Sequence, residues 1–329
     1  MKRIFLAFAL STTFLLPSAL SQKLLTAINI GAQALTPVAN VTNNMIYVPN
    51  YGLNTLTVIS GASETVVDNI TMPYQPLAAA VNTTTNMVYV ATASENSDNG
   101  AIVVVDASSN NVVAIVPAFP VGSIAVNPAT DLIYFVNGGG IISVLDGTTN
   151  QVVGSINTAL GCCIQGIDVD TVTNRIYATE NVLEGRPELV AIDGATNNFQ
   201  IFPLTGTYGV TAPIVDSTLN RVYVPVNSIS GLLVINGATG KILETALPQC
   251  NNPATINLAT NLVAIFQYTV AGPTLDFFSA KNLSQVGGEV VLENAPSPGG
   301  IAAGANNRYY MNFWDGRKTY TSVAVFSGP

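Results

Sequence analysis

A polar residue followed by a short apolar run built around an aromatic recurs along the whole chain. The copies run from Asn44 to Val48, Asn86 to Val90, Asp131 to Phe135, Asn174 to Ala178, Asn220 to Val224, Asn261 to Ile265 and Asn307 to Met311. Their fourth positions are Tyr47, Tyr89, Tyr134, Tyr177, Tyr223, Ala264 and Tyr310, spaced by 41 to 46 residues. A fixed period of this length is the signature of a repeat architecture.

Within each copy the pattern predicts four strands. A strand of small residues comes first, as in Ser123 to Asn127, then a polar turn and the Tyr-containing strand. A third strand ends in a turn of the Asp-Gly kind (Asp146-Gly147, Asp193-Gly194, Asn236-Gly237), and a fourth closes the unit, as in Gln151 to Ile156. Alternating β-branched runs bounded by turn residues read as strands, and Gly and Asn suit the positive φ expected of such hairpin turns. Seven four-stranded units predict an all-β, seven-bladed β-propeller. The two ends complement one another. Lys23 to Asn29 matches a fourth strand, whereas the chain stops after a third, Ser322 to Phe326. Pairing them would complete the last blade, close the ring and remove its open edges.

The first 21 residues stand outside this pattern. Lys2 and Arg3 precede an apolar run from Ile4 to Leu16, Pro17 breaks it, and Ala19 and Ser21 place small residues before Gln22. This predicts a cleaved signal peptide over 1–21 and a single propeller domain over 22–329. The run is too short for a membrane span, which needs about 18 apolar residues. A secreted, periplasmic or cell-surface protein is expected. Removing the leader takes the net charge from −8 to −10, and only 9% of the residues are charged. Such a surface has no basic stripe for phosphates, so nucleic acid is excluded as a partner. A monomer without a membrane span is expected.

The run Tyr47-Val48-Pro49-Asn50, the Val58-Ile59 pair and the Asp-Gly-Ala-Thr-Asn turn at Asp193 to Asn197 resemble the YVTN family of β-propeller repeats. The resemblance covers roughly residues 23–329. It weakens in the last two copies, where Ala264 replaces the Tyr and Ala280-Lys281 the Gly turn. It implies a propeller of the kind found in surface-layer and other exported binding proteins, many without a known activity.

Histidine is absent from the chain. This excludes the usual Ser-His-Asp and Cys-His catalysis and His-ligated metal sites. No cofactor is evident. Aligned first strands place Asp168 where other copies carry Val38, Ala80, Ala125, Ile214, Thr255 and Ile301. A lone carboxylate near the axis is the one candidate ligand for calcium, or a base with a raised pKa; a buried structural hydrogen bond is the commoner role. Asp170 shares its place with Asn82, Asn127, Asp216 and Asn257 and is expected to cap a turn.

Propellers bind at the face carrying the loops that enter the first strands and join the second to the third. The longest such loops are expected at Ala91 to Gly100, Thr179 to Glu188, Gln267 to Thr274 and Phe313 to Thr321. The last holds the only Trp, Trp314, with Asp315, Arg317 and Tyr320, which suits a binding hot spot or packing across the closing blade. Glu95, Asp98, Glu180 and Glu184 are expected to solvate this face. Cys162, Cys163 and Cys250 are disulfide candidates, either Cys163 with Cys250 across two blades or Cys162 with its neighbour. The leading reading is a non-enzymatic scaffold that presents its loops to a protein, glycan or small ligand. The alternative is a metal-dependent, lactonase-like hydrolase working in the channel.

Overall fold

The structure is a computed structural model. It describes residues 22–31, 33–95, 99–119, 122–158, 164–181, 186–205, 207, 209–226, 231–246, 254–269, 272–292, 298–314 and 320–329. At 245, 246, 268, 269, 314, 320 and 321 the description is of the backbone alone. The expected leader over 1–21 and the three cysteines lie outside these residues.

Seven four-stranded antiparallel sheets follow one another along the chain. Blade I spans β2–β5 (Val38–Asn40, Met45–Asn50, Thr55–Ser60, Thr65–Thr71) and blade II β6–β9 (Gln75–Asn82, Met87–Ala93, Gly100–Asp106, Asn111–Ala118). Blade III spans β10–β13 (Ile124–Asn127, Leu132–Val136, Ile141–Asp146, Gln151–Asn157) and blade IV β14–β17 (Ile164–Asp170, Arg175–Glu180, Glu188–Asp193, Phe199–Pro203). Blade V spans β18–β21 (Ile214–Asp216, Arg221–Pro225, Leu232–Asn236, Ile242–Ala246) and blade VI β22–β25 (Ala254–Asn257, Leu262–Thr269, Gly272–Ser279, Val290–Val291).

Blade VII consists of β26–β28 (Pro298–Ala303, Arg308–Trp314, Tyr320–Ser327) and takes its fourth strand from β1 (Lys23–Asn29). The closure expected from the two chain ends is therefore the one observed, with Ala27 opposite Ala324. Each first strand touches the first strand of the next blade, and β26 touches β2, so the ring is continuous.

The seven core clusters lie in the seams between blades. Tyr134 and Ala125 of blade III pack against Ile167, Val169 and Ile176 of blade IV, for instance. This explains why strand interiors are apolar on both faces: a propeller blade is covered on each side by a neighbour. Outer strands carry the residual exposure. In blades I, II, III and V the fourth strand bulges at the same point, leaving Val67, Val113, Val153 and Leu243 out of register. These four are also about half exposed. A bulge twists an edge strand and blunts its capacity to pair with another chain.

The recurrent polar residue ahead of each apolar run is the left-handed residue of the turn joining first and second strands. Asn44, Asn86, Asp131, Asn174, Asn220, Asn261 and Asn307 have φ between 49° and 57°, a region that Asn and Asp tolerate through local hydrogen bonding. The Asp-Gly glycines differ from expectation. Gly147 and Gly237 do not have positive φ; in those turns it falls on Asn150 and Gly240. The glycine is there for space. A Cβ on Gly237 would meet Asn220 and stand 2.7 Å from the Tyr177 hydroxyl of the preceding blade.

Two further expectations are corrected. Gln267 to Thr274 is not a long loop, since β23 and β24 run to Thr269 and from Gly272. Blade VII also has a shorter first turn, so Ala302, rather than Ile301, stands opposite Tyr310.

Candidate functional site

Strand alternation gives the ring two unlike faces. Turns between first and second strands, and between third and fourth, open on one face and repeat closely. Connections from second to third strands, and from one blade to the next, open on the other, the loop face. The strand ends there are separated by anything from two residues (270–271) to ten (204–213).

Asp168 sits on β14 opposite Tyr177, on the side of blade IV that packs against blade V. Its Oδ1 accepts the N–H of Val169 and its Oδ2 the N–H of Val215, both at 2.8 Å. The second bond crosses to the first strand of blade V. A first strand is an edge strand, so its axis-side N–H groups lack a ladder partner, and Asp168 supplies one. Ser123 does the same one seam earlier, its Oγ accepting the Ile167 N–H at 3.1 Å.

The carboxylate is only partly exposed. Burial raises its pKa to about 6, helped by the charge of Asp170 and opposed by the two backbone N–H groups. It therefore joins blades first. A metal bound there would have to share oxygens already engaged by the backbone. Among the described residues there is no group of three His, Cys, Asp or Glu able to hold a metal ion.

A cavity of about 330 Å³ opens beside it at the loop-face end of the axis, lined by Thr36, Thr211, Ala212, Pro213, Ala254 and Gly300 among others. Among the described residues, those that line it are all uncharged. The wall is backbone, two hydroxyls and small aliphatic groups, fit for a neutral group presented end-on and unsuited to an anion.

Trp314 and Tyr320 form the last cross-strand pair of β27 and β28, at the loop-face end of blade VII. Asp315 and Arg317, between them in sequence, lie outside the described residues, as do Cys162, Cys163 and Cys250, Asp98 and Glu184. Glu95 is on the loop face and accepts a hydrogen bond from the Tyr51 hydroxyl at 3.0 Å, joining blades I and II.

Glu180 departs from its expected place at the surface and is wholly buried. The available signal was register: three residues after the repeat Tyr, blades I and III carry Asn50 and Asn137, and blade IV carries Glu180. Asn50 Nδ2 donates to the Ile30 carbonyl at 2.7 Å, and Asn137 Oδ1 accepts the Phe119 N–H at 2.9 Å. This position anchors loop-face backbone. Asp276, a second buried carboxyl, accepts the Thr274 hydroxyl at 2.6 Å within blade VI, and burial raises its pKa.

No known protein-family model matches the chain, and no curated protein matches its sequence. Among the described residues no helix is long and apolar enough to cross a membrane.

Proposed function

We propose that this chain is an exported, YVTN-like repeat propeller that acts as a non-enzymatic binding scaffold, offering its loop face to a protein, glycan or small ligand. One observation carries the reading: the unlike construction of the two faces. The turn face repeats one hydrogen-bonding pattern from blade to blade, as a structural surface does. The loop face varies its connections on a common frame and surrounds an uncharged cavity at the axis. Rigid strands presenting variable connections are the usual basis of recognition. The backbone of Trp314 and Tyr320 ends the blade VII strands at that face, and Gln165 is exposed at the rim of the first strand of blade IV. Export rests on the apolar leader and its small-residue cleavage pattern.

The test is direct binding of the purified protein to glycan and peptide arrays, repeated with Trp314→Ala and Gln165→Ala. Specific binding lost in either variant at unchanged melting temperature supports the reading. Binding indifferent to both, or absent on every array, defeats it.

The hydrolase alternative has one observation in its favour, the raised pKa of Asp168 near the axis. It predicts that chelator lowers the melting temperature and that Asp168→Asn abolishes the response. An indifferent melt removes it.

A further inference from the structure

An Asn or Asp followed by Gly carries a chemistry of its own. The glycine's backbone nitrogen can attack the side-chain carbonyl carbon before it and close a five-membered imide, with no Cβ in the way. Five such pairs fall among the described residues: Asn99-Gly100, Asn137-Gly138, Asp146-Gly147, Asp193-Gly194 and Asn236-Gly237.

The fold restrains the attacking nitrogen in four of them. Gly147, Gly194 and Gly237 donate their N–H groups to the carbonyls of Asp131, Asn174 and Asn220, at 2.8, 2.8 and 2.9 Å. Each acceptor is the left-handed residue of the first turn in the same blade, so the bond belongs to the repeat. Asn236 is tied further, its Oδ1 accepting the N–H groups of Ala238 and Thr239 at 3.0 Å. Gly100 is a buried residue of β8, paired with Ala93 on one side and Ala118 on the other.

Asn137-Gly138 is different. It lies on the loop face between β11 and β12, and among the described residues the Gly138 N–H has no hydrogen-bond partner. Gly138, Gly139 and Gly140 follow one another with φ of 73°, 55° and 74°. A Cβ at Gly138 or Gly139 would meet nothing within 4 Å. Glycines in open space let the backbone rotate toward the attacking geometry at little steric cost. Two bonds hold the Asn137 side chain: Nδ2 donates to the Ser143 hydroxyl at 3.0 Å, and Oδ1 accepts the Phe119 N–H at 2.9 Å.

We propose that Asn137 is a self-modifying site of the loop face, which loses its amide nitrogen and becomes a carboxylate that keeps the Phe119 anchor. The Gly138 nitrogen, having given its proton to solvent base, attacks Cγ of Asn137. The imide C–N bond forms, the Cγ–Nδ2 bond breaks, and ammonia leaves with a proton taken from water. A water molecule then opens the ring at either carbonyl, giving aspartate or isoaspartate. The net reaction consumes one water and releases one ammonia, with no change of oxidation state. In the aspartate product the carboxylate still accepts the Phe119 N–H. The hydroxyl of Ser143, buried beside it, turns from acceptor to donor. The loop face thereby gains a negative charge where blade II leads into blade III, without losing its frame.

Peptide mapping by mass spectrometry, on the purified protein held in warm, mildly alkaline buffer, tests it. Aspartate and isoaspartate should accumulate at Asn137 about tenfold or more faster than at Asn99 or Asn236, where backbone hydrogen bonds must open first. Asn137→Gln would have to close a six-membered ring and should remove the acidic species from ion-exchange profiles. Asn137→Asp, which carries the product's carboxylate from the start, should melt at the parent's temperature. No conversion at Asn137, or equal rates at the three Asn-Gly pairs, overturns the proposal. So does an acidic species that persists in Asn137→Gln. A lower melting temperature for Asn137→Asp overturns the retained anchor.

Discussion

The hydroxyl of Tyr177 donates to the carbonyl oxygen of Gly237 at 2.8 Å, across the seam from blade IV to blade V. Tyr223 repeats the contact one seam later, donating to Ala280 at 2.7 Å. In blades IV and V the repeat Tyr and the turn of the next blade thus form one device, whereas the buried hydroxyls of Tyr47, Tyr89, Tyr134 and Tyr310 make no such bond. Arg175 and Arg221 reinforce it, each donating to the same carbonyl as the Tyr and to the one after it.

Tyr177→Phe keeps the ring and removes only the buried donor. Because Arg175 still satisfies the Gly237 carbonyl, the loss should stay at about 1 kcal/mol. Tyr177→Ala also leaves a cavity and should cost about 3–5 kcal/mol. Chemical denaturation of the two variants against the parent checks the ratio.

Blade VI has moved its aromatic to the neighbouring strand. Ala264 stands where other blades carry Tyr, and Phe277 stands directly opposite it, where they carry Val58, Val104, Val144 or Val234. Phe277 then packs edge-on against Tyr309 of blade VII, with ring centroids 4.8 Å apart. Ala264→Tyr alone should overpack the seam at a cost of about 1–3 kcal/mol. Adding Phe277→Val should recover much of that loss. Additive costs in the double-mutant cycle would show that the two positions do not share space.

Asp170 breaks a belt of amide bonds on the turn face. Asn40, Asn82 and Asn127 each donate from Nδ2 to the left-handed turn residue of the next blade, at 2.7, 2.6 and 2.8 Å. Asp170 keeps the local cap, accepting from the N–H groups of Val172 and Thr173 at 3.0 Å, but has no hydrogen to donate. Its Oδ2 and the Oδ1 of Asn220 are both buried without a hydrogen-bond partner. Asp170→Asn restores the donor and should stabilise the protein by about 1 kcal/mol, read as a higher melting temperature. A lower one would mean that Asp170 is needed as the counter-charge of Arg175, its cross-strand partner. That pairing recurs only where the first strand ends in Asp: Asp216 stands opposite Arg221, whereas Asn40, Asn82, Asn127 and Asn257 stand opposite Met45, Met87, Leu132 and Leu262.

Asp168 makes the stability pH-dependent in a definite direction. Its folded-state pKa is raised to about 6, against 3.8 for a free Asp side chain. Between those values the folded state holds a proton that the unfolded chain has released. Stability from this group is therefore fully present below the unfolded value and is lost as pH rises toward about 6. The span is on the order of 2–3 kcal/mol. Asp168→Asn cannot titrate and should flatten that part of the curve. Parallel pH profiles for the two proteins would sink the assignment.

The architecture was legible because propeller blades are local. Strand alternation, turn chemistry and the period all act within a few tens of residues. The two chain ends carried complementary strands that could pair in only one way. What the sequence could not show was how one blade meets the next. Gly237 is glycine because a Cβ would meet Asn220 of its own blade and the Tyr177 hydroxyl of the blade before, a fact of packing and not of turn conformation. Asp168 was expected to hold a structural hydrogen bond more readily than a ligand, but its partner, the N–H of Val215 in the next blade, could not be read from the sequence. Glu180 looked like a surface charge until the structure buried it at an anchoring position of the loop face. The one-residue displacement that puts Ala302 in place of Ile301 follows from a turn whose shortening is visible only once β26 and β27 are paired. A single strand's pattern reports which of its faces are covered, because burial is written in hydrophobicity. It does not report which atoms cover them, because those belong to a neighbour placed by the closing of the ring.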